Sequence, residues 1–136
     1  MKAFKHFAHH HRVLSVIILI IIGLVSTVGI FQLSEQTYMY SIVMGPQGTS
    51  LIEDMLKNDD PNAFTPQGKI KSYRVLTKTI EHNPMGGIMA RIELNNDSNL
   101  IMGIAFEKNN QASELYVRET FTYPQVEKLY KQLKTD

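Results

Sequence analysis

The chain has no cysteine and no tryptophan. Without cysteine there are no disulfides, no thiol nucleophile, no cysteine metal site and no lipid attached through sulfur. A folded part outside the cytoplasm must then be held together by its core alone. Acidic residues are also missing from the beginning: none precedes Glu35. The whole-chain charge of +1 hides this division. Lys2, Lys5 and Arg12 make the N-terminal tail basic, whereas residues 32–136 carry eleven basic and thirteen acidic groups. The dense basic patch of a nucleic-acid binder is absent, so no nucleic-acid partner is expected. The chain also lacks Gly-x-Ser-x-Gly and His-Glu-x-x-His, and Gly45-Pro46-Gln47-Gly48 has no lysine after it to complete a phosphate-binding loop.

What the chain does have is one uninterrupted apolar run, Val13 to Phe31. It holds fourteen large apolar residues, two glycines and three hydroxyl residues. As a helix it would extend roughly 28 Å, close to the hydrocarbon thickness of a bilayer, about 30 Å. Membrane lipid around residues 13–31 is therefore one expected partner. Basic flanks stay in the cytoplasm, which places the N-terminus inside and the remainder outside. The alternative is a cleaved signal peptide. Its apolar core would be shorter, and Val28 to Leu33 contains no Ala-x-Ala cleavage pattern. His9-His10-His11, with His6, could chelate a metal weakly. Three adjacent imidazoles do not close a site, and a basic flank near lipid head groups accounts for them. The expected division is a cytoplasmic tail at 1–12, a transmembrane helix at 13–31, a stalk helix and Gly-Pro hinge at 32–49, and an extracytoplasmic domain at 50–136.

The outer part reads as α+β. Ser50-Leu51-Ile52-Glu53 fits a capping box, and Leu51, Ile52, Met55 and Leu56 form the apolar stripe of a helix that Asn58-Asp59-Asp60-Pro61 ends. From Lys69 the period becomes alternating. Lys69 to His82 predicts a long strand with a bulge or bend, with Tyr73, Val75, Thr77 and Thr79 on one face and Leu76 and Ile80 on the other. Ile88, Ala90, Ile92 and Leu94 alternate with Met89, Arg91 and Glu93, which predicts one buried face and one wet face. Leu100, Met102, Ile104 and Phe106 repeat the pattern, and Leu115, Val117 and Phe121 mark a fourth strand. Turns fall at Asn83 to Gly87, Asn95 to Asn99 and Asn109 to Gln111. Val126, Leu129, Tyr130 and Leu133 form the stripe of a last helix, with Thr122 and Gln125 as a possible capping box. The expected architecture is an N-terminal transmembrane helix, a second helix, a four-stranded antiparallel meander and a C-terminal helix.

Candidate chemistry is sparse. His82 is the only histidine beyond the apolar run, followed by Asn83-Pro84-Met85-Gly86-Gly87. A base or ligand there would need a nucleophile or a metal beside it. The plain alternative is a turn with Asn-Pro at its corner and glycine for positive φ. Asp59-Asp60 and Asn95 to Asn99 are oxygen-rich but lack EF-hand spacing, and turns use such residues anyway. No catalytic residue, metal or cofactor is assigned. The candidate partner-binding residues are His82, Asn83, Met85 and Met89, because adaptable methionines near a glycine turn suit a protein contact.

Gly68 to Tyr73 together with Ile80-Glu81-His82-Asn83-Pro84-Met85-Gly86-Gly87-Ile88 resembles the domain-of-unknown-function family numbered thirteen-ten. The resemblance covers roughly residues 50–110 and the plan of an N-terminal anchor. It implies a short single-pass membrane protein of a Gram-positive bacterium and brings no catalytic residues with it. The function expected from this reading is a non-enzymatic, membrane-anchored extracytoplasmic module binding a protein partner, in an immunity-type role. An envelope enzyme or small-ligand receptor using the His82 to Gly87 turn is the alternative. A structural subunit packed through Gly23 and Gly29 is a third reading, though their spacing is not Gly-x-x-x-Gly.

Overall fold

The computed structural model describes residues 2–108 and 114–133, with side chains from residue 13 onward. The histidine side chains of the tail and the expected turn at Asn109 to Gln111 lie outside the described residues. The chain divides into two compact units, residues 1–35 and 36–136.

The first unit belongs to helix α1, Lys2–Met44. Val13–Met44 is long and apolar enough to cross a membrane, and lies near the N-terminus. Its large side chains from Val13 to Leu33 are exposed, as lipid-facing groups would be. The polar groups inside it are satisfied locally. Ser26 Oγ donates to the Ile22 carbonyl at 2.7 Å, and Thr27 Oγ1 to the Leu24 carbonyl at 2.8 Å. A spanning helix requires that, because hydrocarbon offers no partners.

The second unit starts with the last turns of α1. It continues through α2 (Pro46–Asp59), β1 (Tyr73–His82), β2 (Ile88–Leu94), β3 (Ile101–Lys108), β4 (Leu115–Thr122) and α3 (Pro124–Leu133). The strands pair antiparallel in the order β1-β2-β3-β4. Met39 and Val43 of α1, Ile52 and Leu56 of α2 and Val126 of α3 share one core with Ile88, Ala90, Ile92 and Leu94 of β2 and Met102, Ile104 and Phe106 of β3. Helices cover one sheet face, and the fold is α+β as the periodicity predicts.

Three local readings are corrected and one is sharpened. First, α2 begins at Pro46, so the expected boundary at Ser50 falls inside the helix. Gly45 is the N-cap, without a side-chain cap, and Pro46 starts the helix. Proline suits that position because its missing N–H would be unpaired there anyway. Gly48 lets α2 turn closely on α1, since a Cβ there would collide with the Ile42 and Val43 carbonyl oxygens. Second, Asp60 ends α2 as expected, and it is buried. Its Oδ2 accepts from the amides of Lys69 (2.7 Å) and Ile70 (2.9 Å), and its Oδ1 from Asn62 (3.0 Å).

Third, Ile80 joins Tyr73 and Val75 at the core instead of opposing them. Leu76 pairs with Arg91 and Glu81 with Met89, so Thr77 to Ile80 stand against Ala90 alone. Thr79 Oγ1 clips this bulge. It donates to the Leu76 carbonyl at 2.7 Å and accepts from the Arg91 amide at 2.9 Å. Gln36 Nε2 donates to the Ile80 carbonyl at 3.1 Å. Fourth, Glu93 sits on the expected wet face of β2 yet is buried. Arg74 of β1, directly opposite in the register, covers it.

Candidate functional site

The His82 to Gly87 turn is built by its backbone. The Asn83 amide donates to the Gly87 carbonyl at 3.0 Å, and the Gly86 amide to the Asn83 carbonyl at 2.8 Å. Asn83 Oδ1 accepts from the Met85 amide at 3.0 Å, a local mimic of a backbone turn. Gly86 and Gly87 take φ of 100° and 83°, where a side chain is disfavoured. Gly87 also leaves no room for a Cβ, which would strike the Phe106 carbonyl oxygen.

The four residues singled out in the sequence do not form one surface. Asn83 is buried and committed to the turn. His82 is exposed and pairs with Ile88, whereas Glu81 pairs with Met89. Successive strand residues point to opposite faces, so Glu81 and His82 are separated by the sheet. Met85 is 74% exposed, and Arg118 Nη1 donates to its carbonyl at 3.3 Å. Met89 is half-buried on the face opposite the helices. Among the described residues no three His, Asp or Glu side chains converge where a metal could be held.

That open face carries the concave site. β3 presents Gly103 and Ala105 to it, one without a side chain and one with a methyl group. Arg91 stands beside Gly103 on β2, and Phe121 on β4. Gly103 floors a groove of about 250 Å³, lined by Thr79, Glu81, Met89, Arg91, Phe121 and Tyr123 among others, whereas Ala105 is fully buried and lies outside it. Phe121 leans over Gly103, where an added Cβ would lie 3.3 Å from the ring. It reaches this face through a second bulge. Phe106 pairs with Val117 but Ala105 with Glu119, so Arg118 is an extra residue and everything after it changes face. Phe121 and Tyr123 are both nearly half exposed.

Sequence reasoning singled out only Met89 of this groove. A signal was available: the outward positions of the β3 pattern hold Gly103 and Ala105, where a wet face ordinarily carries polar side chains. Phe121 gave no signal, because it shares parity with Leu115 and Val117 and nothing in the string announces the bulge.

Two phenols at the helix-covered side of the sheet are shifted by their surroundings. Tyr130 on α3 is raised well above the ordinary 10.0 by burial and then by Asp59, and its hydroxyl lies 3.5 Å from Met102 Sδ. Tyr73 is raised by partial burial and by Glu53. Both are core-edge groups with structural partners.

No curated protein and no solved structure matches the chain. The family model described as a protein of unknown function, DUF1310, matches residues 13–129. That match takes in the apolar helix, the sheet and most of α3, and the protein belongs to this family.

Proposed function

We propose that the protein is a membrane-anchored binding module. One helix holds residues 36–136 at the outer surface of a cell membrane, and the open sheet face engages a protein partner. The observation that carries this reading is the groove over Gly103. A groove floored by Gly103, with Met89, Phe121 and Tyr123 and the charged Arg91 and Glu81 at its sides, is suited to receive a ligand. Orientation rests on the basic tail and on the absence of acidic residues before Glu35. Tethering raises the local concentration of such a module at the membrane. A catalytic role for the His82 turn has less support, since Glu81 faces away from His82 and Asn83 is buried in the turn.

Two measurements test this reading. The cysteine-free chain allows single-cysteine labelling. Ser98→Cys, in the exposed β2–β3 loop, should react with a membrane-impermeant maleimide on intact, wall-stripped cells, and Ala3→Cys should not. The reverse pattern overturns the orientation. A photoreactive residue at Phe121 should crosslink a protein in those cells, and one at exposed Lys57 on α2 should not. Equal yields at both positions, or none at either, would remove the open face as the binding surface.

A further inference from the structure

Arg91 is the one cation among the residues lining the groove. Its guanidinium has no carboxylate partner among the described residues. The directly opposed residues do not supply one. Gly103 has no side chain, Leu76 is apolar, and Glu93, next on the same face of β2, is held by Arg74. One step along the strands the charge changes sign. Glu81 stands opposite Met89 on β1, and Glu119 opposite Ala105 on β4. Both acids are exposed, and neither is ion-paired among the described residues. The open face therefore presents a cation in one row and, in the next, two acids flanking Met89 and Ala105. Rows on one strand face lie about 7 Å apart, and the two acids, three strand spacings apart, about 14 Å.

This spacing matches a polypeptide. In an extended segment the side chains i and i+2 point the same way, again about 7 Å apart. Taking the open face as the binding surface, we propose that the groove receives an extended segment of a partner protein with an acidic residue at i and a basic residue at i+2. The acidic carboxylate meets the Arg91 fork, which can hold it through two parallel N–H donors. The basic side chain lies over Met89 and reaches towards Glu81 beside it and Glu119 on the far side of β3. Phe121 and Met89 supply apolar walls for the stems of both. A simple anion such as phosphate is a poorer fit, because it satisfies Arg91 and leaves the two acids unpaired. An anionic lipid surface is poorer still, since those acids would repel it.

Fluorescence anisotropy with the full chain in lipid nanodiscs tests this. The probes are seven-residue peptides centred on Asp-Val-Lys, on the reversed Lys-Val-Asp and on neutral Asn-Val-Gln. The first should bind at least tenfold more tightly than the neutral peptide. Arg91→Ala should abolish that advantage, and Lys78→Ala on β1 should leave it intact. Arg91→Glu combined with Glu81→Lys should transfer the preference to the reversed peptide. Equal binding of all three peptides, or an acid–base preference that survives Arg91→Ala, overturns the proposal. So does binding that is competed away by millimolar inorganic phosphate or by vesicles of anionic phospholipid. Failure here is separable from failure of the open-face reading. If Phe121 crosslinks a partner in cells equally well with Arg91→Ala, the surface stands and the charge pairing falls.

Discussion

Arg74 and Glu93 face each other across the β1–β2 ladder, with Nη2 of the arginine 3.0 Å from both carboxylate oxygens. The glutamate side chain is 7% exposed and the arginine 63%. A long, wet side chain thus shields a buried acid at the edge of the sheet. Arg74→Ala should destabilise by about 1–3 kcal/mol, because the carboxylate stays buried with its charge unanswered. Glu93→Gln should cost less, about 1 kcal/mol, since the amide oxygen can still accept from Arg74. Urea denaturation of both variants checks the order. A milder effect for Arg74→Ala would show that solvent alone suffices for the carboxylate.

Asp60 ties the loop after α2 to the start of the sheet through three backbone amides. Asparagine in its place keeps one accepting oxygen and turns an NH2 group towards amide donors. Asp60→Asn should therefore cost about 2–3 kcal/mol. Faster amide exchange at Lys69 and Ile70 would locate the damage in this loop. Unchanged protection at both amides would contradict the role assigned to the carboxylate.

Two glycines predict opposite outcomes. At Gly87 a Cβ is refused by a φ of 83° and by the rigid Phe106 carbonyl. Gly87→Ala should cost about 2–4 kcal/mol. At Gly103 the nearest obstacle is the Phe121 side chain, at 3.3 Å, which can move. Gly103→Ala should stay within about 1 kcal/mol of the parent while narrowing the groove. Thermal melts of the two variants, read side by side, decide this.

Tyr130 predicts a dependence on alkaline pH. Its phenol is raised above 10.0 in the folded state, first by burial and then by Asp59. The folded state thus holds the proton more tightly than the unfolded chain does. That contribution is complete below the unfolded value and is lost as pH rises from about 10 through the folded value. Stability should fall above about pH 10, and the fall should be shallower in Tyr130→Phe. Tyr73, raised in the same direction, leaves a residual slope. Identical slopes in parent and Tyr130→Phe would remove Tyr130 as a contributor.

Much of this architecture was written in local periodicity. The alternation through Ile88 to Leu94 and Leu100 to Phe106 identified two strands and their core faces. The stripe Val126, Leu129, Tyr130 identified α3 and its packing side. Asn95 and Asn96 form the β2–β3 turn with φ of 54° and 59°, conformations that asparagine tolerates better than most residues. Misread positions depended on partners distant in sequence. The face of Ile80 follows from a bulge that inverts the parity of the chain around it, and a second bulge sets the face of Phe121, which the string left open. Glu93 could not be recognised as buried without Arg74, nineteen residues earlier. At the start of α2, Ser50 and Glu53 offered a plausible cap, but the helix starts four residues sooner at Pro46 with Gly45 as its N-cap, and Gly48 leaves room for the end of α1 beside it.

The sequence by itself determined that one helix can lie in a membrane and that a cysteine-free α+β unit follows it. These properties depend on hydropathy, charge placement and repeat period, and each is complete within a short window of residues. Only the tertiary structure decided which face of the sheet stayed open and what charges it carries. Arg91, Glu81, Glu119 and Phe121 come from three different strands, and two bulges choose the side on which they meet. Such a meeting is fixed by register between strands, which no single stretch of the chain contains.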